Sequence, residues 1–117
     1  MSLQDFMDLC KKLDEKHGFP VTFEDKSQRY NQVTKDLVGL FGEIGEFSNI
    51  IKKINIKIEK SDGYELDLPE AEHNLKEEIA DSFIYLIRIA NILEIDLTTE
   101  INKKIEKNKV RYGNQKQ

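Results

Sequence analysis

Two stretches decide the fold of this chain, LVGLFGEIGEF at positions 37–47 and LKEEIADSFIYL at positions 75–86. Both carry apolar residues at helical spacing, yet each also holds two acidic residues three positions apart. The four acids are Glu43 and Glu46 in the first stretch and Glu78 and Asp81 in the second. Carboxylates in segments that should build a core are either solvated surface acids or ligands of something bound.

The apolar spacing around these stretches predicts four helices. Ser2 and Asp5 are capping signals for the first, and Asp96 or Thr98 can cap the last. The segment KSDGYELDLP turns the chain between the second and third. The expected helices lie at 2–17, about 28–58, about 70–94 and 97–112. Short connections between four helices predict an all-α, antiparallel four-helix bundle.

The composition agrees with this fold and limits the classes of binding partner that the protein can have. With 117 residues, 2 Pro and 6 Gly, the chain fits a single helical domain over 1–117. The formal charge of −4 and the pI near 5.3 indicate an acidic protein, whereas proteins that bind nucleic acids or anionic membranes need a basic surface. We therefore expect neither nucleic acid nor a membrane as a partner.

The single cysteine and the apolar pattern predict a cytoplasmic protein. Cys10 has no partner for an internal disulfide, which fits a reducing compartment. No charged and then apolar leader opens the sequence, and polar residues interrupt the apolar region 79–95. We expect Cys10 to be a small buried apolar residue.

The acid pairs lie on equivalent edges of their two helices. If Ile44 and Ile79 mark the centres of the apolar stripes, each acid pair lies about 100° and about 160° to the same side. Antiparallel neighbours are related by a two-fold axis, so both acidic edges face the same side and all four carboxylates can converge. Small residues nearby permit close helix approach or ligand access; they are Gly39, Gly42, Gly45 and Ala80.

Four converging carboxylates need a cation. Repulsion between two of them about 4 Å apart is on the order of 4 kcal/mol at an effective dielectric near 20. All-oxygen ligands select hard ions, Mg²⁺ or Mn²⁺, and Mg²⁺ usually adds substrate phosphate to its shell. The pattern thus favours a phosphate ester or anhydride substrate, with one or two ions.

Several other residues are candidate ligand contacts. Lys104, Asn108 and Arg111 form one row on the last helix, which is either a polyphosphate site or a solvated basic face. Lys53 shares the acidic edge and is a weaker phosphate candidate. Tyr85 and Asn91 can touch a ligand or serve structure alone. Three aromatic residues can stack on a base or pack in the core: Phe19, Phe23 and Tyr30.

Other chemistries find less support in the sequence. A di-iron bundle needs two Glu-x-x-His motifs, and only EAEH at 70–73 matches one. The chain has no Gly-x-Ser-x-Gly and no P-loop, and Cys10 has no obvious base. Metal-assisted phosphate chemistry is therefore the leading hypothesis.

The motifs GEIGEF, EEIADSFIYLIRIAN and IDLTTEINKKIEKNKVRYG resemble the MazG-like all-α nucleoside triphosphate pyrophosphohydrolases over about 30–112. This resemblance implies that two acid pairs bind Mg²⁺ and serve catalysis, and that a later row contacts the triphosphate. The acids are Glu43, Glu46, Glu78 and Asp81, and the row is Lys104, Asn108 and Arg111. It also implies a homodimer or homotetramer whose helices complete the site.

The implied reaction is hydrolysis of a (deoxy)nucleoside triphosphate to the monophosphate and pyrophosphate, by attack of water on the α-phosphorus. Phosphoribosyl-ATP pyrophosphatases and dimeric dUTPases share the acidic pattern, so base and sugar preference stay open. The alternative from another class is a non-catalytic helical oligomerisation or regulatory module that kept the acidic edge.

Overall fold

The computed structural model describes residues 1–60 and 63–113. Its elements are α1 Leu3–Lys16, α2 Lys26–Lys60, α3 Leu68–Ile92 and α4 Leu97–Gly113. No strand occurs within these described ranges. The prediction of an all-α chain with four helices is confirmed, and each helix lies within a few residues of its expected position. Two residues of the predicted turn, Ser61 and Asp62, lie outside the described residues.

Side-chain caps fix where the helices begin, and at α2 the Asp25 carboxylate accepts from the Gln28 backbone N–H at 2.8 Å. Ser2 accepts from the Asp5 backbone N–H while the Asp5 carboxylate accepts from the Ser2 N–H, a complete capping box for α1. Asp67 caps α3, whose first turn contains a proline. At the start of α4, Asp96 accepts from the backbone and hydroxyl of Thr99, and these bonds lower the pKa of Asp96. Of the two expected caps for α4, Asp96 serves and Thr98 does not.

Helices α2 and α3 form an antiparallel pair. Their contacts run in opposite directions along the chain: Asp36 meets Arg88, Gly39 meets Tyr85, and the carboxylates of Glu43 and Glu78 come together. Helix α1 packs against α3, and α4 packs against α1. The α2–α3 pair is therefore the frame that positions the acidic residues.

The core lies at one end of this pair, where α3 finishes. One cluster joins Met7 of α1 with Ile87 and Ala90 of α3, and Cys10 packs beside it. Cys10, which was expected to be buried, is only partly buried, and burial together with the charge of a nearby aspartate raises the pKa of its thiol. A second cluster holds Val21, Val33 and Ile92.

Much of the predicted apolar stripe is exposed in the single chain. Phe41 on α2 is 64% exposed and Ile79 on α3 is 58% exposed. The radius of gyration is 18.6 Å, against roughly 13 Å for a compact domain of this length. The expectation that these stripes build an intrachain core is thus wrong for many of their residues, because an apolar stripe does not reveal whether its own chain covers it.

In the part of the chain that the structure describes, we find no helix with the length and apolar character needed to cross a membrane.

Candidate functional site

Three carboxylates from two helices meet beside the α2–α3 contact. Glu43 and Glu46 lie one turn apart on α2, and Glu78 reaches them from α3. One oxygen from each lies within 4.8 Å of the others. The antiparallel arrangement therefore brings together three of the four acids that the sequence singled out, within the distance at which one cation can contact all three.

The Glu78 carboxylate, partly buried like that of Glu43, has one enclosed oxygen. Its Oε2 atom is shielded from solvent, and no hydrogen-bond donor among the described residues reaches it. Ser82, one turn away, donates instead to the Glu78 backbone carbonyl at 2.8 Å. A buried carboxylate oxygen without a donor is costly unless a cation is near. The donor set therefore fits a hard divalent cation.

Protonation of Glu78 reflects the same crowding. The pKa of Glu78 is raised to about 7, mainly by a hydrogen bond shared with Glu43. Burial and the neighbouring Glu46 raise the pKa further. Three acceptors in contact are stabilised when one of them carries a proton. A bound cation would replace that proton.

Asp81 lies beside the three-carboxylate group without belonging to it. Its side chain is exposed, and together with Glu43 it lines a cavity of about 430 Å³ between α2, α3 and the segment that follows α1. The cavity opens next to the carboxylates. A ligand in it would lie against Asp81 and Glu43, the one member of the three-carboxylate group that lines this cavity among the described residues.

The glycines of α2 have two different surroundings. A Cβ at Gly39 would meet ring atoms of Tyr85 at 2.5 Å, so Gly39 permits Tyr85 to lie across α2. Tyr85 also lines the cavity. At Gly42 and Gly45 a Cβ would meet no atom of the described chain within 4 Å. Space for the Tyr85 ring thus accounts for Gly39, and no contact within the described chain accounts for Gly42 or Gly45.

A buried ionic network at the other end of the cavity was missed by sequence reasoning. Arg88 Nε lies 3.1 Å from Asp36 Oδ2, and its Nη1 lies 3.2 Å from Asp14 Oδ2. Its Nη2 donates to the Pro20 carbonyl at 2.9 Å. The available signal was the pair of opposite charges, Asp36 and Arg88, inside apolar helical segments. This network ties the α1–α2 connection to α3.

The predicted phosphate-binding residues lie away from the carboxylates in the single chain. Lys104, Asn108 and Arg111 are on α4, which packs against α1, and none of them lines the acidic cavity. The Arg111 guanidinium lies 5.3 Å from the centre of the Tyr112 ring. Lys53 lines a smaller cavity near the start of α3. One protomer thus does not unite this row with the acids.

The remaining candidate ligand contacts are Asn91 and three aromatic residues, and they differ in whether they pack inside the protein or line the acidic cavity. Asn91 donates its side-chain amide to the Met7 carbonyl at 3.0 Å, which joins α3 to α1. Phe23 packs on the second core cluster, and Tyr30 is exposed. Phe19 lines the acidic cavity, so among these aromatic residues it is the one placed to touch a ligand there.

Comparison with known proteins agrees with this architecture. The sequence model of the MazG nucleotide pyrophosphohydrolase domain family matches residues 32–115 of this chain. The dCTP pyrophosphatase 1 of Rattus norvegicus is 28% identical over 85 residues, 73% of this chain and 48% of that protein. The Mus musculus protein of the same name gives the same identity and coverage. The chain spans about half the length of these curated relatives. Because the family model covers most of the sequence, the chain belongs to the MazG nucleotide pyrophosphohydrolase domain family.

Proposed function

We propose that this protein hydrolyses nucleoside or deoxynucleoside triphosphates to the monophosphate and pyrophosphate with the aid of Mg²⁺, which Mn²⁺ can replace. Three glutamates, with Asp81 beside them, hold the metal. The three are Glu43, Glu46 and Glu78. The observation that carries this proposal is the enclosed Oε2 atom of Glu78, which has no donor among the described residues and belongs to a carboxylate group whose member Glu43 lines the cavity.

The arrangement suits attack by water on the α-phosphorus. When bound, the metal would offset the carboxylate charges and stabilise the charge that develops on the phosphate oxygens. Glu46 is the exposed member of the three, so its carboxylate has room to accept the proton of the attacking water. The water oxygen forms the new bond to the α-phosphorus, and the bond to the bridging oxygen breaks to release pyrophosphate.

The cavity can hold the nucleoside part of the substrate. Its volume of about 430 Å³ lies in the range of small-molecule sites, and Phe19 and Tyr85 supply apolar wall. The phosphates lie toward Glu43 and Asp81, and the nucleoside extends toward Arg88. Because the similar rat protein is a dCTP pyrophosphatase, dCTP is one candidate substrate.

The working enzyme is a homodimer or homotetramer. Exposed apolar side chains such as Phe41 and Ile79 favour burial against another subunit. Lys104, Asn108 and Arg111 do not reach the acidic cavity of their own chain, so the row of a neighbouring subunit contacts the triphosphate, with Lys53 as a weaker candidate. Association would cover the apolar face and complete the site in one step.

The test is pyrophosphate release, measured with Mg²⁺ over a panel of nucleotides that includes dCTP, dUTP, ATP and phosphoribosyl-ATP. We expect turnover that stops on chelation. Glu46→Gln should lower kcat by at least about a hundredfold, because the proton acceptor is lost while the fold is kept. Glu59→Gln, an exposed substitution elsewhere on α2, is the matched control and should retain full activity.

Failure to cleave any of these nucleotides, together with no thermal shift by Mg²⁺, would point instead to a non-catalytic module. Full activity in Glu46→Gln would remove Glu46 both from the role of proton acceptor and from the set of metal ligands.

A further inference from the structure

The cavity beside the carboxylates has a second polar end. Asp36 precedes Glu43 by two turns of α2, and Arg88 follows Asp81 by two turns of α3. Two turns correspond to about 10 Å along a helix axis. If the phosphates lie at the carboxylate end, as the proposed function requires, a sugar and base placed end to end reach Asp36 and Arg88.

At this end of the cavity, the buried side chains offer more hydrogen-bond acceptors than donors. Arg88 carries one positive charge and faces two carboxylates, Asp14 and Asp36. Its Nε, Nη1 and Nη2 groups each already have an acceptor, the last being the Pro20 carbonyl. The buried network therefore has a net charge of −1 and more lone pairs than donors.

Asp36 is the more enclosed of the two carboxylates, with a side chain 10% exposed against 20% for Asp14. Its Oδ2 atom receives Arg88 Nε at 3.1 Å. Among the described residues, Oδ1 receives a single donor, the Gln32 amide nitrogen at 3.4 Å, which also lies 3.5 Å from Oδ2, and both distances are near the outer limit of a hydrogen bond. Asp36 is 8% exposed and lines the cavity, as does Gln32. The free acceptor of Oδ1 therefore belongs to a buried side chain at the cavity wall.

We propose that Asp36, with Gln32 beside it, recognises the base and selects one that carries an exocyclic amino group, such as cytosine or adenine. This inference rests on the proposed function. An amino group donates to Asp36 Oδ1, whereas the carbonyl of uracil or hypoxanthine would place an oxygen against a buried carboxylate and leave it without a donor. We expect kcat/KM for the amino base to exceed that for its deaminated counterpart by at least about tenfold.

The experiment compares two nucleotide pairs that differ by deamination, dCTP with dUTP and dATP with dITP. The wild-type protein should prefer the amino member of each pair. Asp36→Asn keeps the size of the side chain and adds a donor, so the ratio should fall to near one or reverse. Asp8→Asn, on the exposed side of α1, is the control and should keep the wild-type ratio.

Equal cleavage of both members by the wild-type protein, or an unchanged ratio in folded Asp36→Asn, would overturn this inference and leave the hydrolase proposal intact. If Asp36→Asn does not fold, thermal shifts of the wild-type protein with dCMP and dUMP decide the question. A larger shift with dCMP supports the inference, and equal shifts overturn it. Preference for dCMP without cleavage of any triphosphate would retain the base site and reject the hydrolase.

Discussion

The ring of Tyr85 lies so close to Gly39 that a methyl group at position 39 would meet ring atoms at 2.5 Å. Tyr85 also lines the cavity, between its carboxylate end and its Arg88 end. The identity of one glycine in the middle of a long helix is thereby linked to the shape of the site.

Gly39→Ala should destabilise the protein by about 1–3 kcal/mol, because Tyr85 must leave its position. In a Tyr85→Leu background the same change should instead stabilise by up to about 1 kcal/mol, since alanine favours the helix and the ring is gone. Urea unfolding of the four proteins in this cycle measures the reversal. Equal effects of Gly39→Ala in both backgrounds would mean that Tyr85 does not restrict position 39.

The acidic site could be predicted because helical periodicity carries the needed information. The equal offsets of the acid pairs from Ile44 and Ile79 predict convergence, and the structure brings three acids within 4.8 Å. Asp81 lies beside them at the cavity. The offset fixes the side of the helix but not the rotamer or the exact register, so the sequence could not say which acids meet most closely.

Other parts of the molecule depend on contacts that one sequence does not specify. Asp36 and Arg88 pair only because of the register of α2 against α3, and Pro20 joins them from a connection without periodicity. The thin apolar stripe of α4 predicts a helix but not its neighbour, and in the structure that neighbour is α1. The stripe containing Phe41 predicts burial without telling which chain supplies it.

Mg²⁺ should raise the melting temperature, and the rise should depend on Glu78. A ligand at 100 times its Kd stabilises the folded protein by about 2.7 kcal/mol, which corresponds to several degrees for a chain of this size. Glu78→Gln should lose most of this shift because it removes the enclosed carboxylate. Glu59→Gln should keep it. Differential scanning fluorimetry with and without Mg²⁺ tests this, and an undiminished shift in Glu78→Gln would contradict the assignment.

In metal-free protein, the crowding at Glu78 should make stability fall with rising pH. The folded-state pKa of Glu78 is raised from 4.5 to about 7, so the folded protein holds a proton that the unfolded chain releases. The stabilising contribution is complete below pH 4.5 and is lost as the pH rises through 7. Melting temperatures in chelator between pH 5 and pH 8 should therefore decline more steeply for the wild-type protein than for Glu78→Gln. Parallel curves would contradict the raised pKa.

Arg88→Met should be strongly destabilising, by about 3–5 kcal/mol, because it leaves the buried Asp36 carboxylate without its cation. The double change Asp36→Leu with Arg88→Met should recover part of the loss, since the main uncompensated charge is removed with its partner. Urea unfolding followed by circular dichroism measures both. A double variant less stable than Arg88→Met would mean that the packing of Asp36 matters more than its charge.

Two inactive variants should restore activity when mixed, if the phosphate row of one subunit serves the carboxylates of another. Arg111→Ala removes a phosphate contact and Glu46→Gln removes a carboxylate, so each homo-oligomer lacks one part at every site. A mixed oligomer contains sites with both parts intact, because the two residues at such a site come from different subunits. Pyrophosphate release should reappear after the two proteins are unfolded and refolded together.

The matched control carries Phe41→Glu in both partners. A charge on this exposed apolar side chain should prevent association, so sedimentation should give the 13.7 kDa monomer and mixing should restore nothing. Mg²⁺ should still raise the melting temperature of this variant, since all three close carboxylates belong to one chain. Mixed oligomers that form and remain inactive would mean that the row acts on the carboxylates of its own subunit, and that α4 must then leave its position against α1.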